Sequence, residues 1–321
     1  MLITPVEKLL FMAMLILNGK KAGLAEIRQS VNTLRQQGYS IEVRCTWEAG
    51  DVARFVKEAI QSNITRIIAG GGDGTVNELA DAIATLKQDA NEKLTSQLNK
   101  TEIAILPLGT ANDFATACQI PTDVDAALTL ALTGNAFSID MAQANERYFI
   151  NVASAGFGAQ VTVDTPVELK DLLGGQAYFL SGLVQALNFS PYQGKFTATL
   201  ADGQQVTQEG AGLLGAVCNG RLAGGGQNLA PNALLNDGLL NVFLVSHFPS
   251  TALKQVIDEL IDTSINGEYV SRMQVINIVL ESTQPLPVNL DGEPTLNKKH
   301  TISIIPNAVN LVLPDDSPVL G

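Results

Sequence analysis

The chain has 321 residues, of which 46% are hydrophobic and 16% are charged, a balance typical of a globular protein with a sizeable core. A chain of this length is expected to form about two domains. The formal net charge of −12 argues against a nucleic-acid partner, which attracts clustered Lys and Arg, and against strong electrostatic docking on anionic lipid.

The N-terminal apolar run, from Leu9 to Leu17, is too short to span a membrane, which takes about 20 residues. No Ala-x-Ala-like cleavage site follows it, so the sequence does not favour a signal peptide. We interpret Met14 to Leu17 as the first buried strand, preceded by an extension over residues 1–13. The three cysteines form no CxxC pair, and we therefore expect a reduced, soluble, cytoplasmic protein.

Residues 14–136 alternate between strand and helix signals. The predicted strands are Met14 to Leu17, Ser40 to Arg44, Arg66 to Ala69 and Ile103 to Leu106, and the predicted helices are Leu24 to Gln37, Asp51 to Gln61, Val76 to Leu86, Asp113 to Cys118 and Val124 to Leu132. Short apolar strands separated by helices predict a parallel sheet covered on both faces, in a Rossmann-like α/β domain. The polar stretch from Asp89 to Thr101 is expected to be a surface excursion with no chemistry of its own.

From about Phe137 the predicted segments become short, rich in β-branched residues and punctuated by Gly, Pro and Asn. The strands expected there are Tyr148 to Val152, Lys195 to Leu200, Leu213 to Val217, Leu239 to Val245, Val275 to Leu280 and Thr301 to Ile305. This pattern predicts an antiparallel, sandwich-like or barrel-like second domain. Two helical insertions are expected to interrupt it, over Val167 to Leu187 and Thr251 to Ile261.

Four glycines and an acid, Gly70-Gly71-Gly72-Asp73-Gly74, lie between a predicted strand and a predicted helix. Glycine has no Cβ, so such a turn can adopt positive φ and bring backbone N–H groups close to a ligand. The following helix directs its free N–H groups and the positive end of its dipole to the same place. An ordinary strand-to-helix turn is the alternative, but the number of glycines favours a site for a nucleotide phosphate.

A second loop, running from Leu106 through Gly109, Thr110 and Asn112 to Phe114, also follows an apolar strand and precedes a helix. In parallel sheets ligands bind beyond the carboxyl ends of the strands, so both loops are expected at the same edge. Thr110 can then hydrogen-bond a phosphate. The alternative is that Thr110 and Asp113 only cap the helix, as such residues often do.

Two further segments lie in the β-rich half. Gly224-Gly225-Gly226, followed by Asp237-Gly238, is compatible with turns alone. In Asp291-Gly292-Glu293 two carboxylates flank a glycine directly after a short apolar strand. One of them could act as a general base while the other binds a metal or orients a partner, and an ordinary Asp-Gly hairpin turn is an equal alternative.

Together these four segments resemble the diacylglycerol kinase catalytic-domain family, and most closely its bacterial YegS-like lipid kinases. The segments follow one another in family order, from about Met14 to the C terminus, and the stretch from Val43 to Asp51 is also similar to the YegS branch. The run Gly-Gly-Asp-Gly-Thr by itself is shared with NAD kinases and, loosely, with phosphofructokinases. The ordered set of segments therefore carries the resemblance.

The resemblance implies a nucleotide-binding α/β domain over residues 14–136, with 308–321 packing back on it, and a β-rich lipid domain over 137–307. It implies ATP as phosphoryl donor, Mg²⁺ as cofactor and a membrane lipid as acceptor, such as phosphatidylglycerol or a diacylglycerol-like lipid. The implied ATP contacts are Thr46, Gly72, Asp73, Gly74, Thr75, Val76, Asn77, Glu78 and Thr110. The implied proton acceptor is Glu293, with Asp291 beside it. A structural site for Mg²⁺ or Ca²⁺ is implied at Asp237 and the carbonyl groups of Leu234 and Leu239.

Two other functions remain open from the sequence. The first is an NAD kinase, which shares the glycine-rich run. The second is a nucleotide-binding regulator that has lost turnover. Retention of five polar residues speaks against it, namely Asp73, Asn112, Asp113, Asp291 and Glu293. We expect transient, peripheral contact with the membrane, and the apolar stretch from Leu172 to Leu187 could cover an acyl-chain groove or be an ordinary core helix.

Overall fold

The structure is a computed structural model that describes residues 12–88, 90–156, 190–261 and 267–321. The chain divides into two compact units, one running to Asp140 and including Pro306–Gly321, the other formed by Met141–Ile305. Residues 1–11 of the extension expected over 1–13, and the helix expected over 167–187, lie outside the described residues. Residues 12 and 13 of that extension belong instead to the first strand. Among the described residues, no helix has the length and apolar character needed to cross a bilayer.

The first unit alternates strands and helices, as the sequence predicts. Its strands are β1 (Met12–Leu17), β2 (Ser40–Cys45), β3 (Arg66–Gly71) and β4 (Glu102–Pro107), and its helices are α1 (Ala25–Gln36), α2 (Asp51–Gln61), α3 (Asp73–Gln88), α4 (Glu92–Leu98), α5 (Asp113–Ala117) and α6 (Val124–Thr133). The observed strands extend one or two residues beyond the predicted ones. Helix α3 begins three residues earlier than predicted, at the acid of the glycine-rich run, because its first turn carries glycine instead of an apolar periodic signal.

The strands of the first unit form a parallel sheet in the order β2–β1–β3–β4. Strands β1, β3 and β4 are almost entirely buried, which explains why each is a continuous apolar run without alternation. The end of a later strand, β14 (Glu293–Leu313), continues the sheet in parallel beside β4, with Asn310 opposite Glu102. The ammonium group of Lys87 in α3 donates to the carbonyl oxygen of Ala308 at 2.7 Å and so also holds this C-terminal strand.

The polar stretch expected as a surface excursion lies mostly at the surface, and it contains a short helix, α4, that the sequence pattern did not predict. The side chain of Asn91 accepts a hydrogen bond from the Leu94 backbone N–H at 3.0 Å and so caps the helix. Leu98, at its end, is fully buried. One cap and one buried apolar side chain are sufficient for a helix of two turns, although the stretch is polar overall.

The remaining elements are mostly antiparallel strands, as predicted. They are β5 (Asn135–Ala144), β6 (Arg147–Phe149), β7 (Val152–Gly156), β8 (Tyr192–Leu200), β9 (Gln205–Cys218), β10 (Leu222–Ala223), β11 (Gln227–Asn228), β12 (Leu240–Ser246), helix α7 (Leu253–Ile261), β13 (Val270–Leu290) and β14. Helix α7 confirms the second helical insertion. The predicted strands within β13 and β14 cover only part of each observed strand, which has 21 residues.

Two long strands organise the second unit. Strand β9 pairs with β8, β7 and β12, and β13 pairs with β12, β8, β7 and β14. Strands β9, β12, β13 and β8 therefore form a closed circuit of antiparallel pairs around an apolar core, which includes Phe149, Phe196 and Ile278. A register shift between Glu281 and Leu286 bends β13 and allows different parts of it to pair with different strands.

The buried His300 is expected to make the stability of the protein depend on pH. Its Nε2 atom donates to the carbonyl oxygen of Leu286 at 3.0 Å, and only 1% of the residue is exposed. Burial lowers the pKa of His300 below its ordinary value of 6.5. Below that pH the unfolded chain binds more protons than the folded one, so the free energy of unfolding should fall as the pH decreases from about 6.5.

Urea unfolding of the wild type and of His300→Gln between about pH 7 and pH 5 tests this expectation. Glutamine can still donate to the Leu286 carbonyl but cannot take up a proton, so the loss of stability over this pH range should be smaller in the variant. His247→Gln, which removes an exposed histidine, is the matched control. Equal pH slopes for the wild type and His300→Gln would show that His300 does not set this dependence.

Candidate active site

The four parallel strands of the first unit end at one edge of the sheet. Leu17 at the end of β1 pairs with Cys45 on one side and with Gly70 on the other, and Gly71 pairs with Pro107 of β4. The loops that follow these strands are therefore neighbours, as the sequence predicts. Backbone hydrogen bonds continue past the strand ends, from Asn18 N to Gly70 O at 2.8 Å, from Thr46 N to Leu17 O at 2.9 Å and from Leu108 N to Gly71 O at 2.8 Å.

The two glycine-containing loops touch each other at this edge. A Cβ atom on Gly109 would lie 2.6 Å from the Cα atom of Gly72 and 2.7 Å from Oδ1 of Asn112. A Cβ atom on Gly71 would lie 2.2 Å from Oγ1 of Thr75. All three distances are too short for any residue other than glycine. Close packing between the loops therefore requires glycine at position 109, and contact with the first turn of α3 requires it at position 71.

The glycine-rich run does not use the positive φ angles that the sequence allowed. Gly70–Gly74 are absent from the described residues with positive φ. Within the first turns of α3, Thr75 and Asn77 are buried, whereas Gly74 and Glu78 are exposed. The accessible backbone of the run is therefore centred on Gly74.

Asp73 joins the two loops through its side chain. Its carboxylate oxygens accept hydrogen bonds from the backbone N–H groups of Asp113 at 3.2 Å and Phe114 at 2.9 Å, the first residues of α5. Asn112 precedes this helix but does not cap it, because its side chain binds the N–H and carbonyl groups of Gly109 at 2.8 and 3.0 Å. The first N–H groups of α5 are therefore bound by Asp73 of the other loop, and not by the side chain at the helix's own N-cap position.

Thr46 and Trp47 follow β2 at the same edge of the sheet, where the end of β1 lies between β2 and β3. The hydroxyl oxygen of Thr46 accepts a hydrogen bond from Gly19 N at 3.1 Å. The carboxylate of the buried Asp51 accepts hydrogen bonds from the backbone N–H groups of Trp47 at 2.6 Å and Glu48 at 3.1 Å. Hydrogen bonds from Trp47, from the side chain of Arg54 and from Glu48 lower the pKa of Asp51 to about 2. The loop backbone is thus fixed, while Trp47 is 94% exposed.

Thr110 completes this edge of the first unit. It is exposed and follows β4 in the same loop as Gly109. Residues from three loops that the resemblance implied as ATP contacts, around Thr46, Gly72 and Thr110, therefore share one edge of one sheet.

In the second unit, Asp291 and Gly292 form the two-residue turn of the β13–β14 hairpin. Both have positive φ, of 48° and 101°, which is the conformation of a type I′ turn. The Asp291 carboxylate accepts hydrogen bonds from the backbone N–H groups of Ile150 at 2.8 Å, Asn151 at 3.0 Å and Val152 at 2.7 Å. These bonds explain why the single strand predicted over Tyr148 to Val152 is divided into β6 and β7.

The two carboxylates of this hairpin have different environments. Glu293 is exposed, and its Oε2 atom lies 3.9 Å from Nη2 of Arg147. Asp291 is near Cys218, and burial, followed by the charge of Asp291, raises the pKa of that thiol to about 12. Cys218 is therefore an unreactive thiol. Of the two acids, Glu293 is the one whose carboxylate is accessible for chemistry.

The implied cation segment lies between β11 and β12. Oδ1 of Asp237 accepts a hydrogen bond from Leu239 N at 3.0 Å, and Gly238 has positive φ, so the segment is a tight turn. No group of three or more His, Cys, Asp or Glu side chains that could hold a metal occurs among the described residues. The donors at this turn are one carboxylate and backbone carbonyl groups such as that of Leu234, which suit hard cations.

Comparison with known proteins identifies the family. Residues 12–144 match the family model of the diacylglycerol kinase catalytic domain. Residues 151–313 match the YegS C-terminal NAD kinase beta sandwich-like domain. The chain belongs to the diacylglycerol kinase catalytic-domain family. This membership confirms the resemblance drawn from the four motifs, together with the α/β first unit and the β-rich second unit.

Relatives of this protein align with nearly the whole of its chain. A protein of Shewanella frigidimarina named probable lipid kinase YegS-like is 47% identical over 95% of this chain and 95% of its own. One of the same name from Chromohalobacter salexigens is 43% identical over 96% and 94%. A solved structure from Bacillus anthracis, named as a candidate diacylglycerol kinase, is 25% identical with a TM-score of 0.74 and covers 95% of this chain and 97% of that one.

The structure adds residues that the motifs alone did not identify. Asn18 donates from its main chain to Gly70, and its Nδ2 atom lies 3.5 Å from Oγ1 of Thr75. Arg147 lies beside Glu293. The Asn18-Gly19 pair directly after the first apolar strand was the available signal for Asn18, whereas Arg147 is distant in sequence from the residue it accompanies.

The contact between the loops predicts that two Gly→Ala substitutions in this protein will change its free energy of unfolding differently. Gly109→Ala should lower the free energy of unfolding by about 1–3 kcal/mol, because the new methyl group overlaps Gly72 and Asn112. Gly74→Ala should not destabilise the protein, because a Cβ atom added there would meet no other atom within 4 Å and alanine favours helix. Urea unfolding of both variants measures the difference, and equal stabilities would contradict the close contact.

Proposed function

We propose that this protein transfers the terminal phosphoryl group of ATP to a hydroxyl group of a membrane lipid. The observation that carries the proposal is the contact between two glycine-containing loops at the carboxyl edge of a parallel sheet, in a chain of the diacylglycerol kinase catalytic-domain family. The curated relatives named as probable lipid kinases support the same conclusion.

The donor side of the proposed site is built mainly from backbone. The carboxylate of Asp73 is engaged by N–H groups of α5, so we assign to it the role of holding the loops together. The phosphates of ATP would bind the backbone from Gly72 to Glu78, where α3 begins, because a helix N terminus attracts anions. Thr46, after β2, and Thr110, after β4, would supply hydroxyl groups that hydrogen-bond ATP. Their strands lie on either side of β3 in the sheet, from which the glycine-rich segment continues.

The acceptor side of the proposed site is Glu293. Its exposed carboxylate would take the proton of the lipid hydroxyl while that oxygen forms a bond to the γ-phosphorus of ATP. The bond from the γ-phosphorus to the β,γ-bridging oxygen breaks, and ADP leaves. Such a transfer requires little covalent chemistry from the protein, so positioning and charge neutralisation supply most of the catalysis.

Cations enter the proposal in two roles. Mg²⁺ bound with ATP would neutralise the charge of the phosphates. A second, structural cation, Mg²⁺ or Ca²⁺, would be held by Asp237 and the carbonyl groups of Leu234 and Leu239, which are oxygen donors of the type that both ions accept.

An apolar cavity in the second unit supports a lipid acceptor. It is lined by residues of β7, β8, β9, β12 and β13, among them Tyr192, Phe196, Leu213, Leu214 and Leu280. An acyl chain would be accommodated there, because such a surface favours apolar ligands. The net charge of −12 opposes firm binding to anionic membranes, so contact with the bilayer should be transient and peripheral.

Glu293→Gln should abolish most of the lipid phosphorylation while leaving ATP binding and stability intact. The amide cannot accept the hydroxyl proton, and a general base typically contributes 10²–10⁴-fold to the rate. Turnover is measured with labelled ATP and mixed phospholipid vesicles, ATP affinity by calorimetry and stability by thermal unfolding.

Glu209→Gln is the matched control for this experiment. It removes an exposed carboxylate from β9 of the same unit and should leave turnover unchanged. Near-normal turnover of Glu293→Gln would exclude Glu293 as the base, whereas equal losses in both variants would indicate a general effect of charge.

The acceptor class is tested by offering the protein NAD and a membrane lipid extract in parallel with labelled ATP. We expect a labelled lipid, which mass spectrometry would identify as a phosphorylated phosphatidylglycerol or diacylglycerol-like species. Labelled NADP would favour an NAD kinase. Binding of ATP with no labelled product would favour a nucleotide-binding regulator.

A further inference from the structure

Trp47 is exposed to an unusual degree for its size. Among the exposed large apolar residues of the described chain it is the most accessible, at 94%, whereas Leu296 is 64% exposed and Leu24 38%. It is also the only tryptophan of the chain. A large aromatic side chain in water loses the free energy that its burial would give, so such exposure often marks a contact with a ligand or partner.

The position of Trp47 relates it to the proposed phosphate site. Leu17, the last residue of β1, pairs with Cys45 on one side and with Gly70 on the other, so a single strand separates the strand that leads into the Trp47 loop from the one that leads into the glycine-rich run. Adjacent strands are about 4.8 Å apart, so these two strand ends are separated by about 10 Å. The ribose and phosphate chain of a nucleoside triphosphate can bridge a distance of this order.

The backbone of the Trp47 loop is fixed although its side chain is exposed. The Asp51 carboxylate binds the N–H groups of Trp47 and Glu48, and the Thr46 hydroxyl binds Gly19 N. A fixed backbone reduces the conformational entropy lost when the side chain binds a ligand. The loop thus has the properties of a preorganised platform.

We infer that the indole ring of Trp47 stacks on the base of the nucleotide whose phosphates bind at the glycine loops. This inference rests on the proposed function, since it requires ATP at that edge. Stacking on a base is sequence-tolerant and needs only an accessible aromatic face, which the exposure of Trp47 provides. Contact with a membrane surface is disfavoured because the neighbouring Glu48 is exposed and negatively charged.

Tryptophan fluorescence tests the inference directly, because the chain has a single indole. ATP should quench the emission of Trp47, whereas tripolyphosphate, which lacks a base, should not. Trp47→Ala should weaken ATP affinity about 5- to 150-fold, the range expected for loss of one stacking contact, and leave tripolyphosphate affinity unchanged. Trp47→Phe should restore most of the affinity.

Controls separate this role from a structural one. Trp47→Ala should unfold at the wild-type temperature, because the side chain is exposed. Leu24→Ala, which truncates another exposed apolar side chain of the first unit, should bind ATP like the wild type. A general loss of stability in Trp47→Ala, with tripolyphosphate affinity falling together with ATP affinity, would overturn the stacking role.

Three further outcomes would also overturn the inference. If calorimetry shows that ATP binds with equal affinity to the wild type and Trp47→Ala, the stacking role fails while the proposed donor site stands. If vesicles of phosphatidylcholine and phosphatidylglycerol shift the emission to the blue and ATP does not change it, Trp47 is a membrane contact. If the wild type binds no ATP at all, the proposed function fails together with the inference.

Discussion

The contact between Gly72 and Gly109 is the constraint on which the candidate site depends. It brings the loop after β3 against the loop after β4 at a distance that excludes any side chain. The carboxylate of Asp73 strengthens the contact by binding the first N–H groups of α5. One acidic side chain thereby satisfies helix donors that otherwise require a local cap, and it fixes two loops in one hydrogen-bonded arrangement.

Asp291 has a comparable role in the second unit. Its three hydrogen bonds from Ile150, Asn151 and Val152 hold a chain segment that is more than 130 residues away in sequence. In each unit the first acid of the motif, Asp73 or Asp291, binds backbone N–H groups, while a neighbouring residue, Gly74 or Glu293, is exposed. Replacing either acid would remove charge-assisted hydrogen bonds and would therefore disturb the site through its geometry.

Much of the fold could be predicted because periodicity is local. The continuous apolar runs of β1, β3 and β4 indicated a covered parallel sheet, and the turn glycines placed two loops at its carboxyl edge. The prediction was wrong where long-range contacts decided the outcome. The strand predicted through Ile150 and Asn151 is interrupted by Asp291, and β13 extends far beyond its apolar centre because a register shift allows it to pair with several neighbours.

The fold class, the family resemblance and the set of loops that carry polar and glycine residues follow from residue type and spacing alone. The contacts that each residue makes within those loops became visible only in the folded chain. Asp73 binds backbone N–H groups about 40 residues away in sequence. The Asn112 side chain binds Gly109 and does not cap the helix that follows it. Trp47 is exposed on a loop whose backbone is fixed by Asp51. A carboxylate that binds backbone N–H groups and one that is accessible to a ligand have the same residue type in the sequence. Their neighbours in space, which the sequence does not show, distinguish the two roles.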